Sequence, residues 1–319
     1  MKKSLLMLGA AAMMLASCTQ NEVMEVAENR AIGFDAFTPN STRAVNDMAG
    51  NGSGTFTTFY VYGSYSTETS NTTVFNGEAV SYSASSWSYS PTQYWQNGDY
   101  KFAAYSNGNN EIGTGVEYTH DGGLQIKDYT VGTSDLLYAT ATAEVTDKAT
   151  YNNPVNFTFK HILSKVKFTF DSSSFADNLK VTVSNLQIDN SNKKGTYNGT
   201  AWSSLSETGT IIYNSVDVNA EDYTPEECYV LPQSATDLTA SFTVTVTDAL
   251  NNTIMAKTFS DVFLNVTNNT TWASGFVYNY TATLTEAIID PDGSQSNPIV
   301  FTGSAEEWQN NPGDGVLGL

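Results

Sequence analysis

From Leu238 to Val246 the chain alternates between apolar and polar side chains. Leu238, Ala240, Phe242, Val244 and Val246 share one face, and Thr239, Ser241, Thr243 and Thr245 share the other. A period of two marks a strand with one face in a core and one toward water. Phe276, Tyr278, Tyr280, Ala282 and Leu284 repeat the pattern, as do Val166, Phe168 and Phe170 against Lys165, Lys167 and Thr169, with Val181 and Val183 following. Residues 56–65, 80–89, 99–105 and 135–139 predict further strands, separated by turn-forming Gly, Asn and Ser. Past the amino terminus no segment carries a helical period. The pattern predicts an all-β chain of antiparallel sandwiches with Greek-key connections.

At 319 residues, two sandwiches fit better than one. The turn cluster Asn152-Asn153-Pro154 predicts the division between them, and the turn-rich stretch 289–298 predicts a linker. The tail beyond it, residues 299–319, is too short to fold alone. Its Ile299-Val300-Phe301 begins like a strand, but nothing else in the tail offers a sheet, so it reads as a loose end.

The first residues carry an address. Lys2 and Lys3 precede an apolar run over residues 5–16, too short for a permanent membrane span and of signal-peptide proportions. The run ends in Leu15-Ala16-Ser17-Cys18, which resembles a bacterial lipobox and implies a signal peptide over 1–17, with lipidation of Cys18. Acyl chains anchor by burying methylenes, at about 0.8 kcal/mol each. Thr19 in place of aspartate after the cysteine fits onward transport to the outer membrane. With Cys18 lipidated, Cys228 has no intramolecular disulfide partner.

Composition narrows the chemistry. The chain has 33 acidic and 14 basic residues, a net charge of −19, which disfavours a nucleic-acid partner. Two cysteines and two histidines supply no zinc cluster, and no other metal or cofactor site is expected. His161 reads as a structural histidine, His120 lies in a turn, and no nucleophile elbow or Cys/His pair accompanies them. Glu306 and Glu307 are neighbours on one strand and point to opposite faces, unlike glycosidase carboxylates. An enzyme is not expected.

Arginine is confined to Arg30 and Arg43; every later base is a lysine. Just upstream of Arg43 stands Ile32-Gly33-Phe34-Asp35-Ala36, and the tail carries Ile299-Val300-Phe301-Thr302-Gly303. Both place Ile, Phe and a small residue on one face of a strand. If the first copy were cut away, its groove could accept the second from a neighbouring molecule, a head-to-tail contact that builds a filament.

The chain resembles the fimbrillin family, the major subunits of type V pili in Bacteroidetes-type bacteria. The resemblance rests on the lipobox, Ile32-x-Phe34, the Thr42-Arg43-Ala44 step and Asp135-Leu136-Leu137-Tyr138-Ala139. It rests also on Phe159-Lys160-His161-Ile162-Leu163-Ser164-Lys165-Val166, Tyr229-Val230-Leu231-Pro232-Gln233, Gly275-Phe276-x-Tyr278-x-Tyr280 and a tail with Ile299-x-Phe301 and Trp308. It implies an outer-membrane lipoprotein precursor, held by lipid before maturation and cut by an arginine-specific surface protease between Arg43 and Ala44. The cut would release a leader, residues 18–43, with the strand bearing Ile32, Phe34 and Ala36. The tail over 290–319, with Ile299, Phe301 and Gly303, would then act as donor strand for identical or related pilin subunits. The two sandwiches, transthyretin-like and of Greek-key type, would span 44–154 and 155–289, in a stalk or adaptor subunit of a cell-surface pilus supporting adhesion, with its receptor unknown. Loss of residues 1–43 removes four charges of each sign, so the mature body keeps −19 and no arginine.

A different reading stays open. Core and edge packing explains Trp87, Tyr89, Tyr94 and Trp95 most simply, but they could present flat faces to a host or dietary glycan, in a non-polymerising surface lipoprotein or a tip or anchor subunit.

Overall fold

The computed structural model describes residues 30–37, 56–84, 86–146, 153–267, 269–289 and 299–308. Nineteen strands and one helical turn account for most of them. A six-stranded sheet has the order β10 (Lys160–His161), β8 (Leu136–Val145), β5 (Gly98–Asn107), β2 (Thr58–Ser66), β3 (Asn71–Ser83), β4 (Ser86–Ser88). Against one face lies a two-stranded sheet of β1 (Phe34–Phe37) and β9 (Val155–Thr158).

The second body packs a four-stranded sheet on part of a larger one. The small sheet runs β15 (Glu227–Val230), β11 (Ser164–Asp171), β18 (Phe276–Thr283), β19 (Thr302–Glu307). The larger runs β17 (Thr253–Phe263), β16 (Thr239–Thr247), β12 (Lys180–Tyr197), β7 (Gly123–Thr130), β6 (Val116–Thr119). Strands β13 (Trp202–Ile212) and β14 (Val216–Asp217) also pair with β12. The helical turn is α1 (Glu286–Ile289), which buries Ile289.

Alternation explains where the cores sit. On β16 the predicted apolar face, Ala240, Phe242, Val244 and Val246, is buried against Phe168, Phe170, Tyr278 and Tyr280 in one cluster. The six-stranded sheet is apolar on both faces. Phe59, Val61, Phe102, Ala104, Leu137 and Ala139 enter the first core, while Tyr62, Ala103, Tyr105, Leu136 and Tyr138 enter a third cluster. Such doubly buried strands read as continuous apolar runs rather than as alternation.

The third cluster joins the two bodies. Leu124, Ile126 and Tyr129 of β7 meet Tyr197 of β12 and Leu231 there, and β7 pairs with β12. The hairpin of β6 and β7 lies in the first half of the sequence but completes the second body's large sheet. Val155, Phe157 and Phe159, which come after the division expected near Pro154, pack in the first cluster because its aromatic core closes over β1 only with them.

Candidate functional site

Residues 30–37 form a plug in the first sandwich. On one side β1 runs parallel to β9, with Phe34 beside Val155 and Ala36 beside Phe157, and the Val155 amide donates to the Gly33 carbonyl at 2.8 Å. On the other side the Ile32 amide donates to the Gln93 carbonyl at 2.9 Å, and the Trp95 amide to the Arg30 carbonyl at 2.8 Å. The Tyr89 hydroxyl donates to the Ile32 carbonyl at 2.7 Å. Burial raises the Tyr89 phenol above its ordinary value, so the group stays protonated and remains a donor.

Strand geometry sends alternate side chains inward. Ile32, Phe34 and Ala36 are 1%, 5% and 6% exposed, while Gly33 and Asp35 face water. Phe34 is the hub of an aromatic group. Its ring centroid lies 5.3 Å from Phe75, 5.4 Å from Tyr89, 5.9 Å from Phe157, 6.0 Å from Phe59 and 6.4 Å from Phe102.

The tail occupies a comparable place in the second sandwich. Strand β19 is the edge of the four-stranded sheet and pairs antiparallel with β18, Gly303 opposite Tyr280. Ile299 and Phe301 are buried in the second core. The Phe301 ring is 5.3 Å from Phe168 and 6.0 Å from both Phe242 and Tyr280. A Cβ on Gly303 would stand 2.6 Å from the Asn269 side chain and 2.7 Å from Val266, so the strand approaches that closely only with glycine. The tail is therefore docked on its own subunit rather than loose. Its sheet partner is β18, which no pattern inside the tail could reveal.

The aromatic platform expected at residues 87–95 is largely a wall of the plug's slot. Trp95 is 2% exposed and meets Tyr100 edge to face at 4.7 Å. Trp87 packs on Phe59 at 4.9 Å and Phe56 at 5.4 Å, and the Tyr89 hydroxyl is committed to Ile32. Only Tyr94 of the four is well exposed, at 44%. Core packing, the simpler of the two readings, therefore holds for Trp87, Tyr89 and Trp95, and the expectation of exposed ring faces is corrected for these three.

Cys18, Arg43 and Ala44 lie outside the described residues. His120 is buried, with Nδ1 2.8 Å from the Ser64 hydroxyl, which is itself 3.1 Å from the Tyr118 hydroxyl. Among the described residues no group of three or more His, Cys, Asp or Glu side chains is placed to hold a metal ion, and no helix is long and apolar enough to cross a membrane.

Sequence reasoning missed Tyr89 and Phe157 as parts of the slot that holds residues 30–37. The alternation of Val155, Phe157 and Phe159 was the available signal for Phe157. For Tyr89 there was none, because a hydroxyl-to-carbonyl bond leaves no sequence pattern.

Comparison with known proteins bears on what these chain ends serve. No curated protein matches the chain. Among solved structures, a fimbrial protein from Bacteroides vulgatus is similar over 88% of this chain and 100% of its own, at 18% identity and a TM-score of 0.59. A candidate cell adhesion protein from Bacteroides uniformis is similar over 88% of this chain and 98% of its own, at 21% identity and a TM-score of 0.53. Both likenesses establish the fold. The fimbrillin-like family model matches residues 42–308, from beside Arg43 to Trp308 at the end of the docked tail. With that match running through both sandwiches, the chain belongs to the fimbrillin-like family, whose members are structural proteins and not enzymes.

Proposed function

We propose that this chain is a pilus subunit, of stalk or adaptor type, that polymerises head to tail by exchanging strands. It is exported as a lipoprotein on Cys18 to the outer membrane, cut between Arg43 and Ala44 by an arginine-specific surface protease, and assembled with identical or related subunits. The observation that carries the reading is the plug: Ile32, Phe34 and Ala36 fill the centre of an aromatic core from a segment upstream of Arg43. Removing the leader would empty a slot shaped for an Ile-x-Phe strand, and the tail carries that pattern in Ile299 and Phe301.

Arg30 supports Arg43 as the productive site. Its carbonyl accepts from the Trp95 amide at 2.8 Å and its guanidinium donates to the Trp95 carbonyl at 3.1 Å, so the segment is paired where a protease needs it extended and open. A cut there would also leave Ile32 and Phe34 in the slot. The fimbrial name of the Bacteroides vulgatus relative agrees with this reading.

The test is amino-terminal sequencing of the protein in shed filaments. Ala44 is the expected first residue. Recovery only of lipidated Cys18, or of Ala31, would overturn the maturation route.

A further inference from the structure

We propose that the docked part of the tail, residues 299–308, is held on its own subunit by a dedicated tryptophan socket at the junction of the two bodies, and that this socket governs release of the tail. The second half rests on the strand-exchange reading above; the first stands on geometry alone.

The observation is Trp308. Its ring stacks on His161 with centroids 3.8 Å apart and planes 11° from parallel. The Lys165 ammonium lies 4.0 Å from the indole centroid, the Tyr229 ring lies 5.6 Å away, and the Trp308 amide donates to the Gly275 carbonyl at 2.8 Å. The socket groups are fixed in turn. His161 Nδ1 is 2.6 Å from an Asp135 carboxylate oxygen, and Lys165, only 2% exposed, is 3.0 Å from Glu227. Glu227 also takes Lys167 at 3.4 Å, and Lys167 lies 3.7 Å from Glu306 of the tail. Residues 135, 161–165, 227–229 and 275 belong to four separate stretches of the sequence. The fold gathers them around one indole.

Two features make this a holding device rather than ordinary core. First, β19 between Phe301 and Trp308 is almost wholly exposed, with only Gly303 half-buried. Among the described tail residues 299–308, side-chain anchoring is thus concentrated at two points, the Ile299 and Phe301 pair and Trp308. Second, the socket is polar. An apolar pocket that loses its occupant exposes oily surface or a void. A socket of His161 held on Asp135 and of the Lys165–Glu227 ion pair can take water when the indole leaves. Stacking and cation–π attraction hold the ring without making its departure costly to the rest of the core. The leader, residues 18–43, contains no tryptophan, so Trp308 serves something beyond mimicking the plug.

The experiment measures amide hydrogen exchange in the full precursor across residues 302–307, for the parent chain, Trp308→Ala, Trp308→Phe and Lys165→Met. Trp308→Ala should speed exchange in β19 by roughly tenfold or more, with β11 and β16, neither of which pairs with β19, unchanged. Trp308→Phe should fall between, and Lys165→Met, which keeps the volume but removes the cation, should speed exchange without touching the tail. Unchanged exchange in both Trp308→Ala and Lys165→Met would overturn the socket. A parallel arm follows filament growth after cleavage at Arg43. Faster onset in Trp308→Ala supports control of release, and an onset equal to the parent's overturns it. If the cleaved parent chain forms no filaments while β19 exchange rises in the variants, strand exchange fails as the function and the socket stands.

Discussion

Replacing Phe34 by alanine tests whether the leader is held by one residue's fit in the first core. Phe34 is 5% exposed and its ring meets five aromatic rings at centroid distances from 5.3 to 6.4 Å. Truncating such a side chain costs about 3–5 kcal/mol, of which part is the cavity left behind. At about 1.4 kcal/mol per factor of ten, a leader no longer tied to the body by a peptide bond should leave roughly a hundred to a few thousand times faster. The assay begins with a precursor lacking residues 1–17 and carrying Arg30→Lys, so that an arginine-specific protease cuts only after Arg43. A dye is placed on Cys18 at neutral pH. Burial, aided by the nearby Glu226 carboxylate, pushes the Cys228 thiol up to about 11, so that cysteine stays unlabelled. After cleavage, anisotropy of the dye on dilution reports the leader's departure. Equal retention in the parent and in Phe34→Ala would refute Phe34 as the anchor.

Two further predictions concern the tail. Gly303→Val drives a branched side chain into Asn269 and Val266, so amides 302–307 should lose protection while β16 and β17 keep theirs; normal protection would refute the close approach. Acid should loosen the same strand through Glu227. Burial works against ionisation there, but the ammonium groups of Lys165 and Lys167 outweigh it and hold the carboxyl below its usual 4.5. A depressed carboxyl contributes stability that is present above the unfolded value and is lost as pH falls through the folded one. Tail protection should therefore drop below pH 4.5, and Glu227→Gln should flatten that dependence; identical acid profiles for the two chains would count against it.

Legibility in the sequence followed how many faces of each strand are buried. The alternation in β16 and β18 announces itself because one face is dry and the other wet. Strands β5 and β8 are buried on both faces over residues 102–105 and 136–139, and their pattern collapses into an apolar run. Strand β12 runs 18 residues, yet only Val181 and Val183 announce it, because residues 190–194 are polar and its second half turns to another partner, β7. The Ile-x-Phe pattern of leader and tail was readable, since period two is local. The role of residues 87–95 was not: an aromatic ring in sequence looks the same whether it faces a ligand or packs beneath a strand. Trp308's surroundings were still less accessible, because residues from separate stretches of the chain become its neighbours only after both sheets form.

The two ends also show what must decide the direction of strand exchange. Phe34 sits among Phe59, Phe75, Tyr89, Phe102 and Phe157; Phe301 sits among Phe168, Phe170, Phe242 and Tyr280. Moving an Ile-x-Phe strand between sites so alike carries little intrinsic drive, and the docked tail has the advantage of being tethered. A short tether gives an effective concentration in the millimolar range. Against subunits at micromolar concentration, that advantage is about 4 kcal/mol in favour of the tail staying home. A neighbour's emptied slot has to overcome it. Loss of the leader supplies the first part, because a vacant slot leaves five aromatic side chains with no partner across it. Exposed side chains along β19 supply the second, since the home position buries little between Phe301 and Trp308. The proposed pilus thus needs an irreversible cut at one end and a deliberately shallow hold at the other, and Trp308 is where the depth of that hold is set.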